Sequence, residues 1–392
     1  MQAEKVDDEF ADIRPYRDEE VRPVLDRLIA DQEFLAAVAA YRFPFAYRIV
    51  PRLLRRLVGG VLARRTAHFD SIDDFQFSLE SWFDRMIART TDGLSWSGAS
   101  GLDPERAYLF VSNHRDIAMD SGLMNYALHA EGHRTSRIAI GDNLLKKPYA
   151  TDLMRLNKSF VVKRSAKGVR EQLAAYTKTS RFLHHSIAEG QSVWIAQREG
   201  RAKDGNDHTE PAIIKMFHLA ERKSGRDFAA VMADLHIVPV AISYELDPCD
   251  ALKAHELRVK AETGDYRKPP DEDIRSIVMG ITGDKGRVHV HFGPELGGAP
   301  ADADEVAAWL DREIHSGFRL FPTHVEAWRR CGGEVPGALA AETGALEGST
   351  KERFEARIAA VPDSEREYLL LQYAKPVGNR LALASQAAKP SM

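Results

Sequence analysis

From about residue 107 onward, short apolar runs of strand length alternate with stretches whose apolar residues have helical spacing, such as 169–184 and 211–223. The candidate strands lie at 107–112, 137–140, 159–163, 192–196, 236–244 and 287–292. Strands that alternate with helices are typical of an α/β fold, in which helices pack on a sheet. Ligands in such sheets usually bind beyond the carboxyl ends of the strands, so the residues that follow each strand deserve inspection.

The two ends of the chain are predicted to be helical. Helical spacing covers 19–41, 45–67 and 73–91, and it returns from 301 onward. An Ala/Gly-rich loop is expected around 332–348 and a final helix near 364–373. A chain of 392 residues can hold two or three domains, or one large domain with helical additions. We expect a helical region at 1–100, an α/β domain at 101–300 and a helical region at 301–392.

The composition excludes several classes of protein. The net charge of −4 argues against binding of nucleic acid by the chain as a whole. Cys249 and Cys331 are far apart, which excludes a disulfide scaffold and a cysteine-built zinc site. No run of about 18 apolar residues occurs, so no membrane-spanning helix is expected. Residues 1–10 carry four acidic side chains and no apolar run, unlike a signal peptide. We expect a cytoplasmic protein in a reducing compartment.

Positive charge is concentrated in two segments. Residues 41–69 contain seven arginines and no acidic residue, and residues 134–170 contain ten Lys/Arg against Asp142 and Asp152. The rest of the chain is therefore strongly acidic. Such segregation points to anionic ligands or surfaces near the basic segments.

The first basic segment is also amphipathic. Its apolar residues fall on one helical stripe: Val50, Leu53, Leu54, Leu57, Val58 and Val61. Arginines at 48, 52, 55 and 56 lie mostly beside or opposite that stripe. One interpretation is a helix docked on its own domain with a solvated arginine face. The other is an interfacial helix for anionic lipid headgroups. The sequence leaves both open.

The first strand runs into a possible base and its orienting acid. His114 follows it directly, with Asp116 two residues on and Asp120 six residues on. An imidazole is the usual general base near neutral pH, and a carboxylate on its second nitrogen fixes the tautomer. The alternative is a helix-capping carboxylate beside a surface histidine. His114-Arg115-Asp116 also matches the start of a protein-kinase catalytic loop, but the required Asn position is Ser121 and no D-F-G occurs.

Two later strands end in basic turns. Lys163-Arg164 follows one of them, and Glu199-Gly200-Arg201 with Lys203 follows another. Glycine among basic residues after a strand suits an anion cradle built from backbone N–H groups and guanidinium forks. Each turn alone could equally be a solvated surface turn. The sequence contains neither H-E-x-x-H nor G-x-S-x-G, so it supports neither a zinc protease nor an α/β-hydrolase.

Taken in order, these blocks resemble those of the glycerolipid acyltransferases, the superfamily that acylates glycerol-3-phosphate and 1-acylglycerol-3-phosphate. The family pattern reads N-H-x-x-x-x-D, an aromatic-hydrophobic run ending in Arg, F-P-E-G-x-R-S, and a strand with V-P. The corresponding residues here are Asn113-His114 with Asp120, 160–164, Glu199-Gly200-Arg201 and 237–242. The resemblance covers roughly 105–245, while 13–16 and 373–377 look like a bacterial branch of the superfamily.

The resemblance implies an acyltransferase-type mixed sheet flanked by helices and an O-acyltransferase at the inner face of a membrane. His114 would deprotonate a glycerophosphate-like hydroxyl that attacks an acyl thioester of coenzyme A or acyl carrier protein, and Asp120 would orient His114. No metal and no cofactor are implied. The residues implied to bind substrate are Asn113, Lys163, Arg164, Glu199, Gly200, Arg201 and Lys203. Among the cations, Lys163 is a lesser candidate.

The sequence departs from the family pattern twice. Five residues instead of four separate His114 from Asp120, so the partner carboxylate could be Asp120, which we prefer, or Asp116. The third block is one residue shorter, and Arg201 fits its downstream pattern better than Glu199 does. Two alternatives therefore remain: an acyltransferase for another lyso-lipid, such as a lyso-aminolipid, or a non-catalytic anionic-lipid-binding protein of the same fold.

Overall fold

The structure is a computed structural model that describes residues 8–387. The strands are β1 (Leu94–Ser97), β2 (Leu109–Ser112), β3 (Arg137–Gly141), β4 (Ser159–Val162), β5 (Val193–Ala196), β6 (Ile237–Tyr244) and β7 (Val288–Phe292). The helices are α1 (Asp18–Ala30), α2 (Gln32–Arg42), α3 (Pro44–Ile49), α4 (Pro51–Arg65), α5 (Ile72–Thr90), α6 (Met119–Ala130), α7 (Pro148–Leu156), α8 (Val169–Ala188), α9 (Pro211–His218), α10 (Phe228–Ala233), α11 (Asp250–Thr263), α12 (Glu272–Thr282), α13 (Ala303–Gly317), α14 (Pro322–Arg330), α15 (Gly337–Thr343), α16 (Gly348–Ala360) and α17 (Asp363–Ala387).

The chain forms two compact units that interleave along the sequence. The described part of the smaller unit is 8–83 with 137–178, and that of the larger unit is 84–136 with 179–387. The division at residues 100 and 300 expected from the sequence stays a prediction.

The larger unit contains a mixed sheet with the strand order β1-β7-β6-β2-β5. β1 pairs with β7, and β2 pairs with both β5 and β6, in parallel, whereas β6 and β7 are antiparallel. Both β2 and β6 are buried along their whole length, as expected for strands covered on both faces. Helices surround these strands, so the predicted α/β class is confirmed.

The smaller unit holds the parallel pair β3–β4 and a group of helices. Val21, Leu25 and Leu28 of α1 form a core with Phe75 of α5 and Leu156 of α7. A second cluster joins α2 and α4 through their apolar side chains: Leu35, Ala39, Leu54 and Val58.

The structure corrects the predicted helices of the smaller unit in two places. The helix predicted at 19–41 breaks at Asp31, whose carboxylate accepts hydrogen bonds from the backbone N–H groups of Glu33 and Phe34 at 2.8 Å and so caps α2. The helix predicted at 45–67 breaks at Val50, because Pro51 lacks an N–H donor and starts α4 at its first position.

The larger unit holds three further differences from the prediction. β1 is a four-residue strand in a region predicted to be helical or loop, and four half-buried residues give too short an alternation to be recognised. α15 lies inside the predicted Ala/Gly-rich loop. The last helix, α17, runs far beyond 373 despite the internal Pro376. Within 8–387, no helix combines the length and apolar character that crossing a bilayer requires.

Candidate active site

Asn113 ties the end of β2 to the neighbouring strand β6. Its side chain is completely buried. Its amide nitrogen donates to the Ile242 carbonyl at 3.0 Å and to Asp207 Oδ2 at 3.2 Å, and its amide oxygen accepts from the Ile242 backbone N–H at 2.8 Å. These contacts make Asn113 a clamp between two strand ends, and its predicted contact with substrate stays a prediction.

His114 and Asp120 form the central hydrogen bond of the site. His114 Nδ1 lies 2.8 Å from Asp120 Oδ2. Because a carboxylate only accepts hydrogen bonds, Nδ1 carries the proton and Nε2 is left as the basic nitrogen. The imidazole is partly exposed and lies edge-on to the buried Trp194 ring, with centroids 5.8 Å apart, whereas Asp120 is fully buried. The ring is thus held firmly with one nitrogen free for chemistry.

Asp120 reaches this position because it lies in the first turn of α6. Its Oδ2 also accepts from the backbone N–H groups of Arg115 at 2.6 Å and Asp116 at 2.9 Å. Both bonds hold this oxygen in place. The extra residue between His114 and Asp120 therefore lies in a tight turn that folds back onto the carboxylate.

Asp116, which the sequence offered as the alternative carboxylate partner of His114, lies at the start of α6 instead. Its Oδ1 accepts from the backbone N–H groups of Ala118 at 3.0 Å and Met119 at 2.9 Å, so it caps the start of α6. Burial, together with the charge of Asp120, raises the pKa of Asp116 above its usual value. Its carboxylate also packs directly against Gly280 of α12, where a Cβ would overlap it. The carboxylate that accepts the hydrogen bond of His114 is that of Asp120.

Tyr244, the last residue of β6, completes the surroundings of Asp120. Its hydroxyl donates a hydrogen bond to Asp120 Oδ1 at 2.8 Å, and the side chain is buried. Burial and the neighbouring carboxylates raise the pKa of this phenol well above 10. The sequence analysis did not select Tyr244, which lies 124 positions from Asp120; a tyrosine at the end of the V-P strand was the available signal.

Arg115 was also missed by the sequence analysis, which considered it only within the kinase pattern. Its guanidinium is buried and donates to Asp207 Oδ2 at 2.6 Å and to the Gly205 carbonyl at 3.0 Å. The same group lies over the Phe318 ring, 5.4 Å from its centroid. Because Asp207 also accepts from Asn113, this pair connects the turn after β2 to the loop after β5.

The third block lies beside His114 in the larger unit. The Ala202 backbone N–H donates to the His114 carbonyl at 2.8 Å. Neighbouring Arg201 is more than nine-tenths buried, and its Nη2 makes one long bond of 3.4 Å to Ser276 Oγ. Its buried Nη1 has no hydrogen-bond partner among residues 8–387. Gly200 has a φ of +75°, and Glu199 is exposed. Arg201 therefore has a buried donor without a partner among residues 8–387, in the block whose backbone binds the His114 carbonyl.

Other predicted cations have acidic partners. Lys203 pairs with the buried carboxylate of Glu256, which also accepts Lys260 at 2.7 Å. Burial lowers the pKa of Lys203, although Glu256 opposes the shift. In the smaller unit, Lys163 pairs with Asp12.

Arg164 follows β4 in the smaller unit, where the sequence analysis expected a basic turn. It is half-buried, and its backbone N–H donates to Asp142 Oδ1 at 3.1 Å. Its side chain packs over Gly141, so a Cβ at that position would crowd it.

The apolar stripe of the basic segment divides into two faces. Leu54 and Val58 are buried against α2, whereas Leu53, Leu57 and Val61 are more than half exposed. The exposed face continues onto α3 with Phe45 at 81% and Ile49 at 80% exposure. The arginines at 42, 48, 52, 56, 64 and 65 are exposed beside it, and Arg55 is half-buried. The sequence analysis had treated the stripe as one face.

No cluster of three or more His, Cys, Asp or Glu side chains within the described residues could hold a metal ion. His289 and His291 do lie together on β7, but their hydrogen-bond partners are serines: Ser97 Oγ lies 3.0 Å from His289 Nε2 and 2.8 Å from His291 Nδ1. Burial lowers the pKa of His289 to about 4.

A match to a protein-family model supports the resemblance found in the sequence. Residues 95–243 match the family model described as Acyltransferase. The chain is similar to the crystal structure of the 1-acyl-sn-glycerophosphate (LPA) acyltransferase PlsC from Thermotoga maritima, with 13% identity, a TM-score of 0.39, and coverage of 73% of this chain and 96% of that chain. A search of curated proteins found no match.

Proposed function

We propose that this chain, whose residues 95–243 match the Acyltransferase family model, moves a fatty acyl group from a thioester to the hydroxyl of a glycerol-phosphate-type acceptor in phospholipid synthesis. The observation that supports this most is the His114–Asp120 hydrogen bond, with its buried carboxylate and partly exposed imidazole. The donor would be acyl-CoA or acyl carrier protein.

The reaction follows from the tautomer of His114. With Nδ1 held by Asp120, Nε2 takes the proton of the acceptor hydroxyl as its oxygen attacks the thioester carbonyl. The tetrahedral intermediate then collapses, the C–S bond breaks, and the departing thiolate takes the proton back from the imidazolium. Asp120 stabilises the positive charge that His114 carries in between. The acyl group passes directly from sulfur to oxygen, so no acyl-enzyme forms.

Arg201 is the residue we assign to the acceptor's phosphate. Its buried Nη1 has no partner among residues 8–387, and it lies one residue from the N–H group that binds the His114 carbonyl. A guanidinium with spare donors suits a phosphate, whereas Lys203 and Lys163 already have carboxylate partners. Arg164 remains a second candidate for the anionic parts of the substrates.

The basic segment α3–α4 would bring the protein to a membrane. One substrate and the product are lipids, and the segment offers an exposed apolar face flanked by exposed arginines. That combination is typical of helices that lie in the interface of an anionic bilayer. We therefore propose a peripheral position on the inner face of the membrane.

The test is an acyl-transfer assay with the purified full chain. Acyl-CoA and acyl carrier protein serve as donors, and glycerol-3-phosphate, 1-acylglycerol-3-phosphate and a lyso-aminolipid serve as acceptors. His114→Ala should lower kcat by about 10²–10⁴-fold, the usual contribution of a positioned general base.

A matched control is His255→Ala. His255 Nδ1 also lies 2.8 Å from a buried carboxylate, that of Glu365, but on the surface of α11 where Arg258 supports the same carboxylate. This variant should keep full activity. Near wild-type turnover by His114→Ala would exclude the general-base role, and transfer to none of the acceptors would exclude the proposed substrate class.

A further inference from the structure

We propose that Tyr244 is a positioning residue of the reaction, which acts on His114 through Asp120 by holding the second oxygen of that carboxylate. The inference rests on the proposed function and adds a third member to the His114–Asp120 pair. Tyr244 is the last residue of β6, one position beyond the matched residues 95–243, and its hydroxyl donates to Asp120.

The two oxygens of Asp120 have separate partners. Oδ2 accepts from His114 Nδ1 and from the backbone N–H groups of Arg115 and Asp116. Oδ1 accepts from the Tyr244 hydroxyl at 2.8 Å, and Tyr244 is the partner that the described residues supply to that atom. Since Asp120 is fully buried, loss of the hydroxyl would leave a charged oxygen without a donor and without bulk water.

The position of the hydroxyl is fixed by the strands. Asn113 binds both the N–H and the carbonyl of Ile242, two residues before Tyr244 on the same face of β6. On the other side, Tyr244 is paired with Val288 of β7. The end of β6 is thus held from both sides, on one side by the residue that precedes the base.

The Tyr244 hydroxyl keeps its proton and can donate a hydrogen bond at every working pH, because burial and the nearby carboxylates raise its pKa well above 10. Charged and titratable groups from several elements surround it and Asp120: Arg115 and Asp116 after β2, Asp247 after β6, Lys253 on α11, Lys285 before β7, His324 on α14 and Tyr373 on α17. Asp247 pairs with Lys253. Burial lowers the pKa of His324 to about 3, so it stays neutral near pH 7.

The hydroxyl has a definite electrostatic effect. By donating a hydrogen bond, Tyr244 draws negative charge toward Oδ1 and away from the oxygen that faces His114. Without it, Asp120 would stabilise the imidazolium more strongly, and a higher pH would be needed to generate the neutral base. The carboxylate would also be oriented less tightly, which would slow the chemical step.

Tyr244→Phe removes the oxygen and little else. We expect the acidic limb of the kcat/KM profile to move to higher pH by about half to one unit, and kcat on the plateau to fall about tenfold, as for loss of a hydrogen bond to a charged group. KM for the acceptor should be unchanged, because Tyr244 acts behind the imidazole. Tyr108→Phe is the control, since this buried hydroxyl accepts a backbone N–H, that of Asp103 at 2.9 Å, away from Asp120.

A second substitution should shift the acidic limb of the kcat/KM profile in the opposite direction. Tyr244→fluorotyrosine keeps the ring and the hydroxyl but makes the phenol a stronger donor, so the acidic limb should move to lower pH. The NMR titration of the His114 ring in the full chain should move in the same direction as the kinetic limb for each variant. The proposal would be overturned if neither variant shifts the acidic limb of the kcat/KM profile or the NMR titration of the His114 ring, even if kcat falls.

The ring titration needs no substrate, which separates this proposal from the proposed function. If the wild-type chain transfers no acyl group but both substitutions shift the His114 titration as stated, the acceptor or the reaction is wrong and the Tyr244–Asp120–His114 coupling is supported. If the wild type is active and the two substitutions shift neither the kcat/KM pH profile nor the His114 titration, the coupling is excluded while the acyltransferase assignment stands.

Discussion

The turn that contains His114 and the basic segment α3–α4 are both rich in polar or charged residues, yet the two are built in opposite ways. In the turn, the carboxylates of Asp116 and Asp120 are buried, and they accept hydrogen bonds from His114 and from backbone N–H groups of the same turn. In the segment, Phe45, Ile49 and most arginines face outward. The first region depends on distances between particular atoms, and the second depends on how much apolar surface and charge it presents.

This difference has consequences for mutation. Breaking a buried ion pair by removing one partner costs about 3–5 kcal/mol, whereas one exposed basic residue near an anionic surface contributes on the order of 1 kcal/mol. Groups that act as a unit lose their effect together, and independent groups add. The two regions should therefore differ in both the size and the additivity of their mutational effects.

The largest effect is expected in the buried turn. Asp120→Asn should lower kcat on the order of 10³-fold, because the amide cannot compensate the charge on His114 and Oδ2 is the oxygen that two backbone N–H groups hold. Asp116→Asn should cost less than about tenfold. Its amide oxygen still caps α6, and burial with the charge of Asp120, which raises the pKa of Asp116, disfavours a charge at this position. Steady-state kinetics of both variants test the ranking.

Additivity sharpens the same prediction. The double variant of His114→Ala with Asp120→Asn should be no slower than His114→Ala alone, because the carboxylate acts only through the imidazole. A double variant whose losses multiply would show that Asp120 has a separate role. A larger loss for Asp116→Asn than for Asp120→Asn would make Asp116 the working partner.

An intermediate effect is expected at Arg201. Arg201→Gln should raise KM for an acceptor that bears a phosphate by about 10–100-fold, the loss of a charged hydrogen bond. With monoacylglycerol, which lacks the phosphate, the variant and the wild type should have similar KM values. Arg226→Gln is the control, because Arg226 pairs with Asp234 on the surface. Equal losses on both acceptors would contradict phosphate binding.

Much of the fold could be predicted because its signals are local. The strands after residue 107 were predicted within about two residues, since each is a short apolar run with clear flanks. β1 was missed because four half-buried residues carry no such run. The break at Asp31 was missed because a capping carboxylate resembles any other acidic residue in a helix.

The site was predicted where the residues are close in sequence and missed where they are distant. His114 and Asp120 are six positions apart, and the family pattern supplied the pair. Tyr244 meets Asp120 only through the pairing of β2 with β6, and Arg115 meets Asp207 across 92 positions. The sequence does not show which of these distant residues meet, because strand order decides it. The apolar stripe at 50–61 predicted a helix, but it did not indicate which of its residues would be buried against α2.

The smallest effects per residue are expected on the basic segment. Arg48→Gln, Arg52→Gln and Arg56→Gln should each weaken binding to anionic vesicles about fivefold at low salt, and their effects should multiply in the triple variant. All three side chains are exposed, whereas Arg55 is half-buried and is left unchanged. Co-sedimentation with neutral and anionic liposomes measures the affinity. Raising the salt should reduce it, because surface charges act within a Debye length.

The control variant loses the same number of positive charges as the triple variant, but from a different surface. Arg222→Gln, Lys223→Gln and Arg267→Gln together remove three exposed cations from the larger unit and should leave vesicle binding unchanged. The apolar face is tested by Leu53→Ser with Leu57→Ser, which should weaken binding even at high salt, because burial of apolar surface is not screened. None of these variants should alter kcat with a water-soluble acceptor if the turn alone performs the chemistry. Salt-insensitive binding by the wild type, or equal losses in the control, would instead leave α3–α4 as helices whose arginines only face water.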